Sequence, residues 1–277
     1  MSRRYTDADF DVESDQEGMA RMLAHYAALS TAAYERLTGS RDLRYGSDPA
    51  ERLDVFQPAG QSRGVVVFFH GGWWRSGSKE GRAFLAEALL RDGFHYVNVE
   101  YPLAPEASLP RIVESAERAL AWVAREIGGY GGDPSRLFVT GNSAGGHLAA
   151  TVSSLESLER SGVPAGSLRG LVGISGLYDL EPLLALEPNG WLRLDAATGA
   201  ALSPVHRRYP SGLPVLLPWG SREPDGFRDQ AALFHDRLAA AGHPVERREV
   251  AGEDHLTIIA HLPEFLASLA GAKVENR

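Results

Sequence analysis

Short apolar, β-branched runs alternate along most of this chain with segments whose apolar residues recur every three to four positions. The runs are RLDVFQP (52–58), GVVVFFH (64–70), FHYVNVEY (94–101), RLFVTG (136–141), GLVGIS (170–175), LPVLLPWG (213–220) and PVERREV (244–250). Each has the length and composition of a strand. The helical period appears in KEGRAFLAEALLRDG (79–93), LPRIVESAERALAWVAREIGG (109–129), SAGGHLAATVSSLESLERSG (143–162) and FRDQAALFHDRLAAAG (227–242). Strands that alternate with helices predict an α/β fold, a mostly parallel central sheet with helices on both faces. Residues 65–69 are apolar without alternation, as expected of a strand covered on both sides.

Two segments stand outside this rhythm. DQEGMARMLAHYAALSTAAYERL (15–37) reads as an N-terminal helical segment, one helix or a pair, ahead of the first strand. Residues 176–212, with several Pro and Gly, read as an irregular insertion. Segments of this kind often cover a pocket, and an edge helix is the plainer reading of 15–37. No internal repeat or low-complexity tract interrupts the chain. With 277 residues, 44% of them hydrophobic, 1–277 is expected to form a single domain around one core.

Charge and composition remove several classes of function. Twenty-eight Lys and Arg against 36 Asp and Glu give a formal charge of −8 with no long basic run, which argues against nucleic acid or an anionic membrane as partner. The absence of cysteine excludes disulfides, thiolate metal sites and a Cys nucleophile. The N-terminal stretch is charged and lacks an apolar core, and no run approaches the ~18 apolar residues of a spanning helix. A cytoplasmic protein that acts on a small-molecule substrate is expected, and a homodimer is left open.

The chemistry concentrates where strands end. In FVTGNSAGGHLAA (138–150) an apolar strand runs into a helix through Gly141, Ser143, Ala144 and Gly145. A sharp strand-to-helix turn needs small neighbours, and it lifts the central side chain to the carboxyl edge of a sheet. The first N–H groups of the helix point at the same place. Ser143 is therefore the candidate nucleophile. FFHGGWWRSGSKEG (68–81) also follows a buried strand. Its adjacent glycines let backbone N–H groups approach a ligand, so Gly71, Gly72 and Ala144 are the candidate donors to a tetrahedral oxyanion. His70 fits an orienter of that loop better than a base.

The remaining partners of a triad are expected after later strands, in the order serine, acid, histidine. Glu223 lies three residues past Gly220, with Asp225 close behind as the alternative acid. His255 follows the last strand run and precedes a helix. The other histidines suit surface or packing roles. Of these, His25, His147, His235 and His261 fall in helical segments, His95 on a strand, and His206 and His243 in loops. No H-x-x-x-H or HExxH pair, no GK[ST] loop and no GxGxxG helix start is present, so no metal and no cofactor is expected.

HGGWWRSGSKE, VNVEYPLAPEASLPRIVESAERALAWV, GNSAGGHLAA, WGSREPDGFRDQ and GEDHLTII follow one another over about residues 43–270. Together they resemble an α/β-hydrolase of the kynurenine formamidase (arylformamidase) group, related to HGG-containing esterases. Trp73, where many esterases carry a third glycine, favours the formamidase-like group. The resemblance implies Ser143 as nucleophile, Glu223 as acid and His255 as base, with Gly71, Gly72 and Ala144 forming the oxyanion hole and no cofactor. It implies cleavage of an aryl formamide through an acyl-serine, with a carboxylesterase of short acyl esters as the alternative and a non-catalytic binding module as the remote one. Two positions depart from the family: Glu223 stands where Asp is common, and Asn142 where Asp is frequent at the elbow. Trp73 and Trp74 offer a stacking wall for an aryl group or, equally, packing.

Overall fold

The computed structural model describes residues 4–12 and 15–271, so the two ends of the expected 1–277 domain lie outside the described residues. Among the described residues eight strands make one sheet: β1 (Gly39–Arg44), β2 (Arg52–Phe56), β3 (Gly64–Phe69), β4 (Phe94–Val99), β5 (Leu137–Asn142), β6 (Leu168–Ile174), β7 (Val215–Gly220) and β8 (Val245–Val250). Their order is β1-β2-β4-β3-β5-β6-β7-β8. The β1–β2 and β2–β4 pairs are antiparallel and all the others parallel. Seven of these strands are the expected ones. The eighth, β1, has the sequence GSRDLR with a single apolar residue, and only pairing with β2 at the sheet edge, Gly39 opposite Phe56 and Leu43 opposite Leu53, holds it extended.

Nine α-helices accompany the sheet among the described residues: α1 (Gln16–Arg36), α2 (Leu85–Arg91), α3 (Leu109–Glu126), α4 (Ala144–Val152), α5 (Leu155–Ser161), α6 (Asn189–Leu192), α7 (Ala196–Leu202), α8 (Asp225–Ala240) and α9 (Leu262–Gly271). Alternate residues of β3 face opposite sides of the sheet. Val65, Val67 and Phe69 meet side chains of α3, α4 and α8 in one cluster, whereas Val66 and Phe68 meet those of α1, α2 and α9 in the other. Every residue of β3 is buried, which accounts for its unbroken apolar run.

Two expected helices are shorter than their patterns. In 79–93 the α-helix begins only at Leu85, after a 3-10 turn over Glu80–Arg82. The Lys79 ammonium is drawn inside against buried Asp54 at 3.0 Å, with Asp42 and Glu80 also on it. Burial disfavours its charge, but the three carboxylates outweigh that and raise its pKa. In 143–162 the helix breaks between α4 and α5, where Ser154 is extended and its hydroxyl accepts the Ser157 N–H. The Leu155 N–H there donates to Arg208 O at 2.7 Å instead of continuing the helix.

The segment 15–37 is one helix, α1, capped by the Asp15 side chain. It packs through Tyr26, which stacks on Phe84 at 4.2 Å and donates to Leu256 O. The insertion 176–212 holds α6, α7 and two 3-10 turns. Among the described residues no helix is long and apolar enough to cross a membrane.

Candidate active site

Ser143 sits between β5 and α4 with φ 57° and ψ −121°. That region costs a non-glycine residue about 1–3 kcal/mol and persists only where its surroundings enforce it. The enforcement is steric. A Cβ on Gly145 would lie 2.0 Å from Phe69 O, and one on Gly141 would lie 2.2 Å from Gly145 O. The helix can therefore pass this close to β3 only with glycine at both positions. The Ser143 N–H donates to Ile174 O of β6 at 2.8 Å, which ties the elbow to the neighbouring strand.

The loop after β3 comes against the same point. A Cβ on Gly71 would lie 3.2 Å from the Ser143 Cβ. Gly72 has φ 119°, where any side chain would meet Ser76 O at 2.2 Å. The amide N–H groups of Gly71 and Gly72 make no hydrogen bond among the described residues, and Ala144 opens α4, where N–H groups have no intrahelical acceptor. Gly71 and Ala144 thus flank the serine, and Gly72 follows Gly71 in the same loop. His70 holds the loop as expected. Its Nδ1 meets Gly71 O at 2.8 Å and its Nε2 meets Glu100 Oε1 at 3.0 Å, while its ring stacks on Tyr101 at 4.2 Å. Glu100 also accepts the Lys79 N–H. Sequence reasoning did not single out Glu100, because its partners are 21 and 30 residues away.

On the far side of β6 and β7, Glu223 and His255 meet. The His255 Nδ1–H donates to Glu223 Oε2 at 2.9 Å. Glu223 Oε1 accepts from the Gly220 N–H and the Ser175 hydroxyl, both at 2.6 Å. Both carboxylate oxygens are thereby used, and the Glu223 side chain is wholly buried. Asp225 instead opens α8, half exposed and paired with Arg228 at 3.1 Å. Ser175 was missed by the sequence reading. It has φ 48° at the end of β6, and its only local signal is a Ser beside Gly176 where a strand run stops. The Phe227 ring lies 4.2 Å from the His255 ring and meets Phe10 edge-on at 5.6 Å.

The tryptophans separate. Trp74 is completely buried and meets the His147 ring edge-on at 5.1 Å, so it is a packing residue. Trp73 keeps an edge on a cavity of about 440 Å³ that it shares with Phe10, Arg75, Leu186 and Trp191. A second cavity, of about 570 Å³, is lined by Glu223 and His255 together with Met19, Met22 and His25 of α1. Thus α1 lines the cavity beside His255, and the insertion together with Asp7, Ala8, Phe10, Asp11 and Val12 lines the cavity beside Trp73.

His147, one turn into α4, is fully buried, and its Nε2 donates to Leu202 O at 3.0 Å. It takes no part in the site. Burial, aided by nearby Arg207 and opposed by the Leu202 bond, pushes its pKa down to about 3. An imidazole depressed in this way binds its proton more tightly in the unfolded chain, where it titrates near ~6.5. Stability is therefore complete above that value and falls as pH drops from about 6.5 towards about 3, at up to roughly 1.4 kcal/mol per pH unit. Urea unfolding at pH 7, 5 and 4 is expected to show a shallower acid loss in His147→Gln than in the parent chain. Equal slopes would mean that His147 is not held neutral by the fold.

The family model of the alpha/beta hydrolase fold matches residues 66–259. Kynurenine formamidase of Danio rerio is 31% identical over 251 residues, covering 86% of this chain and 83% of its own. Esterase LipC of Mycobacterium tuberculosis is 29% identical over 245 residues, covering 80% of this chain and 60% of its own. Among solved structures, a thioesterase candidate from Silicibacter sp. superposes with a TM-score of 0.84 at 28% identity, covering 95% of each chain. An esterase from Pyrobaculum calidifontis shares the fold, with a TM-score of 0.70 at 22% identity, covering 93% of this chain and 92% of its own.

Proposed function

The chain belongs to the α/β-hydrolase fold family, and from that membership we propose that Ser143, His255 and Glu223 cleave a formyl group from an aryl amine through an acyl-serine. The observation that carries the mechanism is the Glu223–His255 hydrogen bond at 2.9 Å. Its carboxylate partner fixes the proton on Nδ1, so Nε2 is the nitrogen left to act as base. Nε2 takes the Ser143 proton as Oγ attacks the formyl carbon. The oxyanion that forms is held by the N–H groups of Gly71, Gly72 and Ala144, each worth about 3–4 kcal/mol in the transition state. The imidazolium then gives its proton to the departing nitrogen as the C–N bond breaks. Water, deprotonated by the same Nε2, attacks the formyl-serine and releases formate.

The substrate class rests on the similarity to the zebrafish kynurenine formamidase along 86% of this chain and on the chemistry of leaving groups. An anilide nitrogen must be protonated to leave, so a positioned acid is indispensable for it, whereas an activated phenol leaves unaided. A formyl carbon carries only hydrogen, so a narrow acyl side tolerates it and excludes a propyl chain. In a series of formyl, acetyl and butyryl anilides, kcat/KM is expected to fall at least about tenfold from formyl to butyryl. The esterase relatives favour a second reading, a carboxylesterase for short acyl esters. No deformylation of a formylanilide, together with a preference for butyrate esters, would transfer the assignment to it.

A further inference from the structure

A cavity of about 690 Å³ opens between α3, α5 and the end of α7, and none of Ser143, Glu223 and His255 lines it. Three guanidinium groups, those of Arg118, Arg160 and Arg207, share its wall with the carboxylates of Glu114 and Glu117. Arg118 pairs with buried Glu51, and Arg160 grips buried Glu117 through two nitrogens. Arg207 has no such partner among the described residues. The carboxylates whose charge reaches it, Glu117 and Glu156, are taken by Arg160 and Arg208. Its bonds go to neutral groups instead, to Ala201 O at 2.8 Å and to the hydroxyls of Ser157 and Ser154 at 3.3 and 3.4 Å, and its Nε is enclosed without an acceptor.

The Ser157 hydroxyl marks the imbalance. It is completely buried and donates to Glu117 at 2.6 Å, while both Arg160, at 3.2 Å, and Arg207 donate to it. Two positive charges thus converge on one hydroxyl with one carboxylate beside it. Burial, joined by the Arg160 charge, lowers the Arg207 pKa from its ordinary value. A further negative charge at the cavity wall relieves both costs, and a guanidinium fork matches a carboxylate. The rest of the wall decides which anion fits. Val113 and Ala121 of α3 and Ala201 and Leu202 of α7 supply apolar surface, and Glu114 and Glu117 on the same wall repel a dianion more than a monoanion. We propose that this cavity binds a monocarboxylate with a short aliphatic tail, its carboxylate held between Arg207 and Arg160 and its hydrocarbon against Val113, Ala201 and Leu202. Its occupancy is independent of the reaction proposed for Ser143.

Calorimetric titration of the full chain with hexanoate, hexanol and inorganic phosphate tests this. Hexanoate is expected to bind at least about tenfold more tightly than either comparator. Arg207→Met is expected to weaken hexanoate at least about tenfold and Arg207→Lys to keep part of the affinity. Glu114→Gln removes a repelling charge from an exposed position and is expected to strengthen binding severalfold. Ala201→Trp fills the apolar part of the cavity from an exposed helix position and is expected to abolish binding with every charge in place. If Arg207→Met does not fold, Glu114→Gln and Ala201→Trp carry the test. No binding of hexanoate at millimolar concentration, equal affinity for hexanol, tighter binding of phosphate, or a hexanoate affinity unchanged in the folded variants overturns the proposal. The last of these outcomes would place the carboxylate elsewhere, the catalytic centre included.

Discussion

Ser143→Ala is expected to lower kcat by about 10⁴ to 10⁶ while the chain stays folded. The hydroxyl is the attacking group in the proposed mechanism, and what remains is transition-state binding by the Gly71, Gly72 and Ala144 N–H groups. Packing changes little, because Ala retains the Cβ that lies against Gly71. Ser143→Gly separates catalysis from stability. The serine stands at φ 57° and ψ −121°, a conformation that costs about 1–3 kcal/mol with a Cβ and almost nothing without one. Against that relief stands the extra chain entropy of glycine, roughly 0.5–1 kcal/mol. The glycine variant should therefore be as inactive as Ser143→Ala and more stable than the parent by about 1 kcal/mol. Hydrolysis of a formylanilide together with urea unfolding checks both. Retained activity in either folded variant would falsify the serine mechanism.

Glu223→Gln is expected to lower kcat by about 10³ to 10⁴, and hydrogen-bond polarity supplies the reason. The Gly220 N–H and the Ser175 hydroxyl both donate to Oε1, so a glutamine places its carbonyl oxygen there. Its NH₂ group must then face His255 Nδ1, which becomes an acceptor. The imidazole proton moves to Nε2, where it blocks transfer from Ser143. Asp225→Asn is the control, because that carboxylate pairs with Arg228 at the start of α8. It should change kcat by no more than about twofold. A collapse of kcat in the Asp225 variant with Glu223→Gln active would reverse the assignment of the acid.

The turn around Ser143, the paired glycines after β3 and the strand ends that precede Glu223 and His255 were readable because each lies within a few residues of a strand's end, where local pattern marks the position. Small residues around Ser143 are required by a turn only a few residues long, so the requirement is written next to it in sequence. The same holds for α1 and α8, whose apolar periods are continuous. It fails for β1, which is strand only through its β2 partner, and for the end of α4, where a bond from Leu155 to Arg208 in the insertion competes with the helix.

The pattern of apolar runs by itself therefore determined the alternating architecture, the covered parallel strands and the strand ends that carry reactive side chains. These are consequences of covalent neighbours and of the two periods, about 2 and 3.6, that backbone geometry imposes. Tertiary structure alone decided which carboxylate met His255, that Ser175 would share the load on Glu223, that Phe10 would back Phe227 against the imidazole, and that Trp74 would be buried while Trp73 kept an edge on a cavity. Those relations join residues 28 to more than 200 positions apart. Their hydrogen bonds and ring contacts exist only after crossovers bring distant segments to one sheet edge, and no local periodicity encodes a distance that the chain closes by folding.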